Sequence, residues 1–460
     1  MVDLLIDFYS LFHKHQTPNN NLPITKMVFC MRKIFNFCLK YSLFIGVICI
    51  AIIFAPSSNN FLLDINPKIL QVSLPETLRQ FETKKVEWKS FENVAQIDGP
   101  DSIAYDTKTG RLITGSNDGY LYRIDTDDDQ NPRKLFKLID DELMAKYQYK
   151  RQSRPSGLRF DSNGILFVCE PMFGIFKVEN IFTEQPKTEL IFDIDKTSEL
   201  DGSTSVFFDD LAVQEKSTGG HIIYVSDVSR KFSFQYVMAS ILSSDSNGRI
   251  LRYDTDTGKL DILMSNLFFP NGLEILSDNS GFLLTETGNR TVWKYTFKNQ
   301  NARVLMTSLP GEPDNIRKSL NGKTYWITLL RPRTVNNPLM IDYMMQWPSI
   351  RKLLVRLLDL IGMMFDWFYR LTSISKLKCL SKQFQTLEIL NKINDDFIYG
   401  GMLLEIDSNG HIIQCIYQTN NQLAWASEIS EIPSDKHSNQ KRKLYIGSFR
   451  SGYPIRKIIL

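Results

Sequence analysis

The sequence predicts an all-β fold of the propeller type, and two observations lead there. From about residue 90 onward, short runs of β-branched and aromatic residues alternate with Gly- and Asn-centred turns. Five short segments of one kind also recur at intervals of roughly 40–60 residues, which is the range of a propeller blade. They are Gly99-Pro100-Asp101-Ser102-Ile103-Ala104, Arg154-Pro155-Ser156-Gly157-Leu158, Phe208-Asp209-Asp210-Leu211-Ala212, Phe269-Pro270-Asn271-Gly272-Leu273 and Glu312-Pro313-Asp314-Asn315-Ile316. Ala426-Ser427-Glu428-Ile429 is a weaker sixth. Equivalent residues of different blades converge on one axis.

Composition bounds the function. The chain has 460 residues, 43% hydrophobic and 23% charged, with a formal charge of +3. Such a balance builds a large core and creates no strong field, so no nucleic-acid partner is expected. Cys30, Cys38 and Cys49 lie near the N-terminus, leaving Cys169, Cys379 and Cys415 for the body. That set defines no disulfide framework, and the five His have no metal spacing, which argues against zinc.

The elements follow in order. Residues 1–40 are expected to be cytosolic. Residues 41–56, YSLFIGVICIAIIFAP, carry no charge and follow Lys33 and Lys40. We read them as an uncleaved transmembrane signal anchor, with the C-terminal bulk lumenal or extracellular. A cleaved signal peptide and a buried soluble helix are the alternatives. The expected location is a single-pass type II protein of the ER or plasma membrane. Asn289-Arg290-Thr291 is then a glycosylation sequon.

Residues 57–89 read as a stalk and lead-in. The propeller is expected over 90–460. Its first hairpin is Arg111–Gly115 and Tyr120–Asp125, turned by Asn117-Asp118-Gly119, whose residues tolerate positive φ. The pattern repeats through Gly281–Glu286 with Thr291–Tyr295, and ends at Lys443–Phe449. One segment breaks it. Between about 337 and 397, Leu353, Leu354, Leu357, Leu358 and Ile361 recur at helical spacing, with Arg351, Lys352, Arg356 and Arg370 among them. This predicts a helical insertion, either a lid on the propeller or a surface helix that also rests on the membrane.

The recurrent segments carry the chemistry. Asp101, Asp209, Asn271, Asp314 and Asn315 would meet at the axis. Oxygen ligands without His or Cys suit a hard cation, and Ca²⁺ is the expected cofactor. Backbone capping at strand–loop junctions is the competing reading of each residue alone.

The motifs together resemble the strictosidine synthase-like family, and within it the membrane-anchored animal branch. They are GPDSIA at 99–104, FFDDLAV at 207–213, GRILRYDTDTGKLDIL through FPNGLEIL at 248–276, LPGEPDNIR at 309–317 and LYIGSFRSGYPIRKI at 444–458. The resemblance covers roughly residues 90–460. It implies a six-bladed β-propeller related to paraoxonases and gluconolactonases, with a metal in the central channel. It also implies an arylesterase- or lactonase-type hydrolase, with a small hydrophobic ester, lactone or amine as ligand. A non-catalytic cell-surface or ER-lumenal binding protein is the alternative, and a Pictet–Spengler condensing enzyme a third. Glu428 falls where the plant condensing enzymes place the Glu that meets the substrate amine, and is the candidate catalytic residue. The chain departs from the family at Asp101, where Glu is usual, and at Asp209, where Asn is usual. The paraoxonase-type His pair is absent.

Overall fold

Near-continuous apolar runs of five or six residues, closed by Gly or Asn turns, give strands buried on both faces. Leu166–Glu170, Gly281–Glu286 and Thr324–Leu329 are buried along their whole length. The computed structural model describes residues 46–71, 73–140, 144, 154–336, 338–390, 400–418, 421–433 and 442–460.

Six four-stranded antiparallel sheets result, as expected of six blades. The first comprises Ile103–Asp106, Arg111–Gly115, Tyr120–Asp125 and Asp128–Lys137; the second, Gly157–Phe160, Leu166–Glu170, Gly174–Glu179 and Lys187–Asp193. The third is Phe207–Glu215, His221–Ser229, Gly248–Asp254 and Leu260–Leu267; the fourth, Pro270–Ile275, Gly281–Glu286, Thr291–Thr296 and Asn301–Met306. The fifth is Pro313–Lys318, Thr324–Leu329, Gly401–Asp407 and Ile412–Gln418. The sixth joins Ile429–Ile432, Lys443–Ile446 and Arg456–Ile459 to Ser90–Asn93 from the start of the body. Ser90 pairs Ile459 and Asn93 pairs Arg456, so the two ends of the body close the ring in one sheet. The first strand of each blade lies beside the first strand of the next, and Ile429–Ile432 returns to Ile103–Asp106. These six strands form the channel wall.

Apolar layers between the blades hold the ring together. Between the second and third blades, Phe167, Phe192, Phe208, Leu211 and Tyr253 share one cluster, with Phe192 stacked on Tyr253 at 4.9 Å. Each such side chain contributes about 1.5–3 kcal/mol on burial.

Helix α1 (Asn60–Leu63) belongs to the lead-in, and α2 (Val237–Ser243) follows the second strand of the third blade. The insertion forms α3 (Met340–Met344), α4 (Pro348–Thr372) and α5 (Ser375–Gln385); residues 391–397 of it lie outside the described residues. Of residues 57–89, expected as a stalk and lead-in, those up to Leu70 pack against this layer, while Phe81 joins the core of the fourth and fifth blades. Leu62 and Ile65 share a cluster with Met238, Leu242, Val355 and Leu358. Two buried polar side chains fix it. Arg351 donates to the carbonyls of Leu242 (2.6 Å) and Met345 (2.9 Å) and to Ser244 Oγ (2.7 Å). Asp359 accepts from Ser57 Oγ (2.6 Å) and the Ser58 N–H (3.2 Å).

The described residues 46–56 belong to a unit separate from Ser57–Leu460. Residues 46–54 of the expected anchor are helical, while 41–45 lie outside the described residues. Among the described residues, no helix is long and apolar enough to cross a membrane.

Candidate functional site

The innermost strands are irregular where the recurrent segments begin. In the third, fourth and fifth blades the pairing skips two residues on the inner strand against one on its neighbour. Asp209 and Asp210 stand opposite Ser226, Asn271 and Gly272 opposite Thr285, and Asp314 and Asn315 opposite Thr328. Such bulges re-aim side chains and leave backbone groups unpaired. Here a hydroxyl fills the gap. Ser226 Oγ accepts from the Asp210 N–H and Thr285 Oγ1 from the Gly272 N–H, both at 2.8 Å. Thr285 then donates to the Asp314 carbonyl (2.5 Å) and Thr328 to the Ser427 carbonyl (2.7 Å), tying each bulge to the next blade.

The residue two before the ring position is left-handed in three blades: Gly99 (φ 63°), Phe269 (φ 58°) and Trp425 (φ 58°). For Phe and Trp this is stored strain of about 1–3 kcal/mol each, which the surrounding packing must hold. Two glycines make room at the axis. A Cβ on Gly157 would meet Asp210 Oδ1 at 2.7 Å, and one on Gly272 would meet the Ile316 nitrogen at 2.5 Å.

The upper layer of the channel gathers Asp101, Asp209, Asn271 and Asp314. Burial raises the Asp209 carboxyl well above the usual range, and the charges of Asp101 and Asp210 raise it further. Asp209 keeps some surface toward the channel but stands deep inside the molecule, so burial dominates. The Asp314 carboxyl is likewise raised by burial and by Asp101 and Asp209, against a hydrogen bond from Asn271. Asp101 is raised by burial, while Arg154, 3.5 Å away, pulls the other way. The side-chain carbonyls of Asn271 and Asn315 are buried and accept no hydrogen bond. A buried acceptor left so costs about 1–3 kcal/mol.

This donor set fits a hard cation. It offers carboxylates that repel one another and amide oxygens with no other partner. Among the described residues, no three His, Cys, Asp or Glu side chains are grouped closely enough to hold a metal ion. Arg154 engages Asp101, so the set that fits best is mixed: Asp209 and Asp314 with the amides of Asn271 and Asn315.

Glu428 lies elsewhere. It is fully buried one layer deeper, and Arg317 Nη2 donates to its Oε2. Arg317 also forks onto Asp210, at 2.8 and 3.1 Å, and Arg159 adds a contact to Asp210 at 3.2 Å. Asp210 further accepts from the Leu273 N–H (2.9 Å), and these partners outweigh burial and hold it below the usual carboxylate range. Glu428 has the weaker share of the guanidinium, its Oε1 has no partner, and burial raises it. It opens on a polar cavity of ≈ 180 Å³ lined also by Tyr105, Arg159, Glu274, Arg317 and Glu431.

Asp210, Arg154, Arg159 and Arg317 were missed in the sequence. Each lies within or beside a recurrent segment, and charged residues adjoining those segments were the available signal. Asn289 is exposed, and its amide donates to Glu286 Oε1 at 2.7 Å.

Residues 209–309 match the strictosidine synthase family model, and this span carries the bulges at Asp209 and Asn271. Over that span the chain is similar to the strictosidine synthase domain. Adipocyte plasma membrane-associated protein of Salmo salar is 28% identical over 85% of this chain and 84% of its own length. Strictosidine synthase-like 4 of Arabidopsis thaliana is 28% identical over 55% of this chain and 62% of its own. Among solved structures, a gluconolactonase of Xanthomonas campestris superposes with a TM-score of 0.46 at 12% identity, covering 88% of this chain and 98% of that one. The span that matches the family model therefore sits within a longer stretch of likeness to the Salmo salar relative.

Proposed function

We propose that this protein is a Ca²⁺-dependent hydrolase of the arylesterase or lactonase type, held at a membrane by residues 41–56 with its propeller lumenal or extracellular. One observation carries the reading. The upper channel layer holds mutually repelling carboxylates beside the buried Asn271 carbonyl, with the buried Asn315 carbonyl next along the chain from Asp314, and no hydrogen bond satisfies either carbonyl. Asp209, Asn271, Asp314 and Asn315 would hold the ion, with Asp101 contributing once released from Arg154. Bound there, the cation would supply Lewis-acid polarisation of an ester carbonyl.

The chain's own residues supply the rest. Glu428, raised by burial, holds a proton at its carboxyl nearer neutrality than an exposed Glu does, as an acid–base group requires. Arg317 fixes its orientation through Oε2 and leaves Oε1 free of any hydrogen bond. The Trp425–Phe449 pair, edge to face at 5.5 Å, gives the Arg154 side of the site an apolar wall for a hydrophobic ester. The membrane assignment rests on the uncharged 41–56 stretch and on the name of the Salmo salar relative.

The test uses the purified full chain in detergent. Metal content is measured with turnover of a phenyl ester and of a lactone, before and after chelation. Metal-dependent turnover that falls in Glu428→Gln supports the reading. Bound calcium with no turnover of either class leaves a calcium-binding propeller and removes the hydrolase.

A further inference from the structure

Helix α4 is amphipathic twice over. One face, with Val355, Leu358 and Gly362, is buried against α1, α2 and the rest of the insertion. The opposite face is also apolar, and it is bare. Ile350, Leu357, Met364 and Leu371 recur every seven residues, and Trp367 and Phe368 lie beside them. At 100° per residue these six side chains fall within about 100° of arc, on the side away from the buried stripe. They are far from marginally exposed: Met364 is 53% accessible, Trp367 57% and Leu371 64%. A surface helix of a free-standing domain places charge there. A contiguous bare patch of aromatic and long aliphatic groups marks an interaction surface.

The charges beside the patch say what covers it. Along α5, Lys376, Lys378 and Lys382 are all exposed, and the helix contains no Asp or Glu. Arg370 sits at the end of α4, and the one acid near it, Asp366, is paired to it at 2.7 Å. A second copy of this chain would bring the same basic rim, with no acid on α5 to meet it. An apolar face rimmed by lysines, with Trp and Phe within it, is the composition of a helix lying in an anionic bilayer surface.

The insertion is also tied to the channel. Asp342 of α3 accepts from Arg290 at 2.6 Å and lies 2.9 Å from Arg333. Arg333 in turn donates to Glu312 at 2.6 Å, two residues before Asp314. The helices thus stand on the end of the propeller where the upper channel layer opens. We infer that the bare face of α4, with the basic rim of α5, docks on an anionic lipid surface, so that the channel end bearing Asp209 and Asp314 is held at the bilayer. The inference holds whether or not the site hydrolyses esters.

The test uses the full chain reconstituted in vesicles of phosphatidylcholine, with or without phosphatidylserine, and doped with a photoactivatable phospholipid. Cross-linked peptides are mapped. Adducts are expected across residues 357–382 as well as in the N-terminal apolar segment, which serves as the internal reference. Replacing Lys376, Lys378 and Lys382 together by Glu should lower the α4–α5 adducts by at least about tenfold in the serine-containing vesicles, since each base near such a surface adds appreciably to binding. Met364→Ser with Leu371→Ser should lower them in both vesicle types. An unchanged melting temperature shows that either variant is folded. Adducts confined to residues before 57, or insensitive to both variants, overturn the inference. So does efficient cross-linking of α4 to α4 between copies in detergent, which would assign the face to self-association.

Discussion

Arg317→Met is the most informative single change, because one guanidinium serves two fully buried carboxylates. Asp210 is 1% exposed and Glu428 0%, and Arg317 bonds both. Methionine keeps most of the volume and removes the charge. Breaking a buried ion pair from one side costs about 3–5 kcal/mol, because the remaining charge stays desolvated. Arg159 remains 3.2 Å from Asp210, so the loss should fall mainly on Glu428. The sign with pH follows. In the variant the Glu428 carboxyl, already raised by burial, rises further, so its folded pKa exceeds its unfolded one. Stability is then fully present below the unfolded carboxyl range and is lost as pH rises through the folded value.

The variant should therefore melt near the wild type in mild acid and well below it at neutral pH. Adding Glu428→Gln removes the stranded charge and should recover part of the loss, giving a coupling energy of about 1–3 kcal/mol at neutral pH. The assay is a set of melting curves for the four proteins of the cycle from pH 4 to 8. If the Arg317→Met deficit is independent of pH and Glu428→Gln recovers nothing, packing rather than charge explains the residue.

Other expectations are briefer. Calcium affinity should rise with pH, because filling the ring displaces protons held by the raised Asp209 and Asp314 carboxyls; calorimetry in buffers of different ionisation enthalpy reads the proton release. At a hundredfold excess over its dissociation constant, Ca²⁺ should stabilise the protein by about 2.7 kcal/mol; Asp314→Ala should abolish the shift, and Asp209→Asn should keep it in weaker form. Gly157→Ala should destabilise without altering charge, since its Cβ would come within 2.7 Å of Asp210 Oδ1, and a neutral melting temperature would refute that close approach. If the propeller is lumenal, intact microsomes should protect it from protease, and endoglycosidase sensitivity should vanish in Asn289→Gln.

The blades were legible because periodicity and turn chemistry are local. Asn117-Asp118-Gly119 turns the chain where expected, and the recurrent segments do open five of the inner strands. The bulges were not legible, because pairing register is a property of two strands. Their trace was nonetheless present: Ser226, Thr285 and Thr328 are hydroxyls within runs of apolar strand residues, and a buried hydroxyl needs a partner. The role of Glu428 was read from its place in a motif. Its pairing with Arg317 depends on two segments 111 residues apart, which no local pattern reports. The lead-in was read as a stalk because its polar composition masks the spaced Leu62, Ile65 and Phe81, each of which is buried.

The two channel layers differ in how their acids are compensated, and that difference is the strongest argument for where a cation belongs. In the lower layer Asp210 and Glu428 face Arg317 and Arg159, so every negative charge has a guanidinium within bonding reach. In the upper layer Asp101, Asp209 and Asp314 face one neighbouring base, Arg154, which lies 3.5 Å from Asp101 and bonds the Phe449 carbonyl more closely, at 2.7 Å. Desolvated acids without a counter-ion must hold protons or bind a cation. A protonated carboxyl can donate to one neighbouring carbonyl at most, whereas a cation uses carboxylate and amide oxygens together. In the third, fourth and fifth blades the same backbone device, a two-for-one bulge braced by a hydroxyl, supplies residues to both layers. What separates a self-neutralised plug from an open cation site is the arginine placed two residues further along the inner strand, at Arg159 and Arg317. A substitution that put a base opposite Asp209 should therefore abolish calcium-dependent stabilisation while leaving the blades intact.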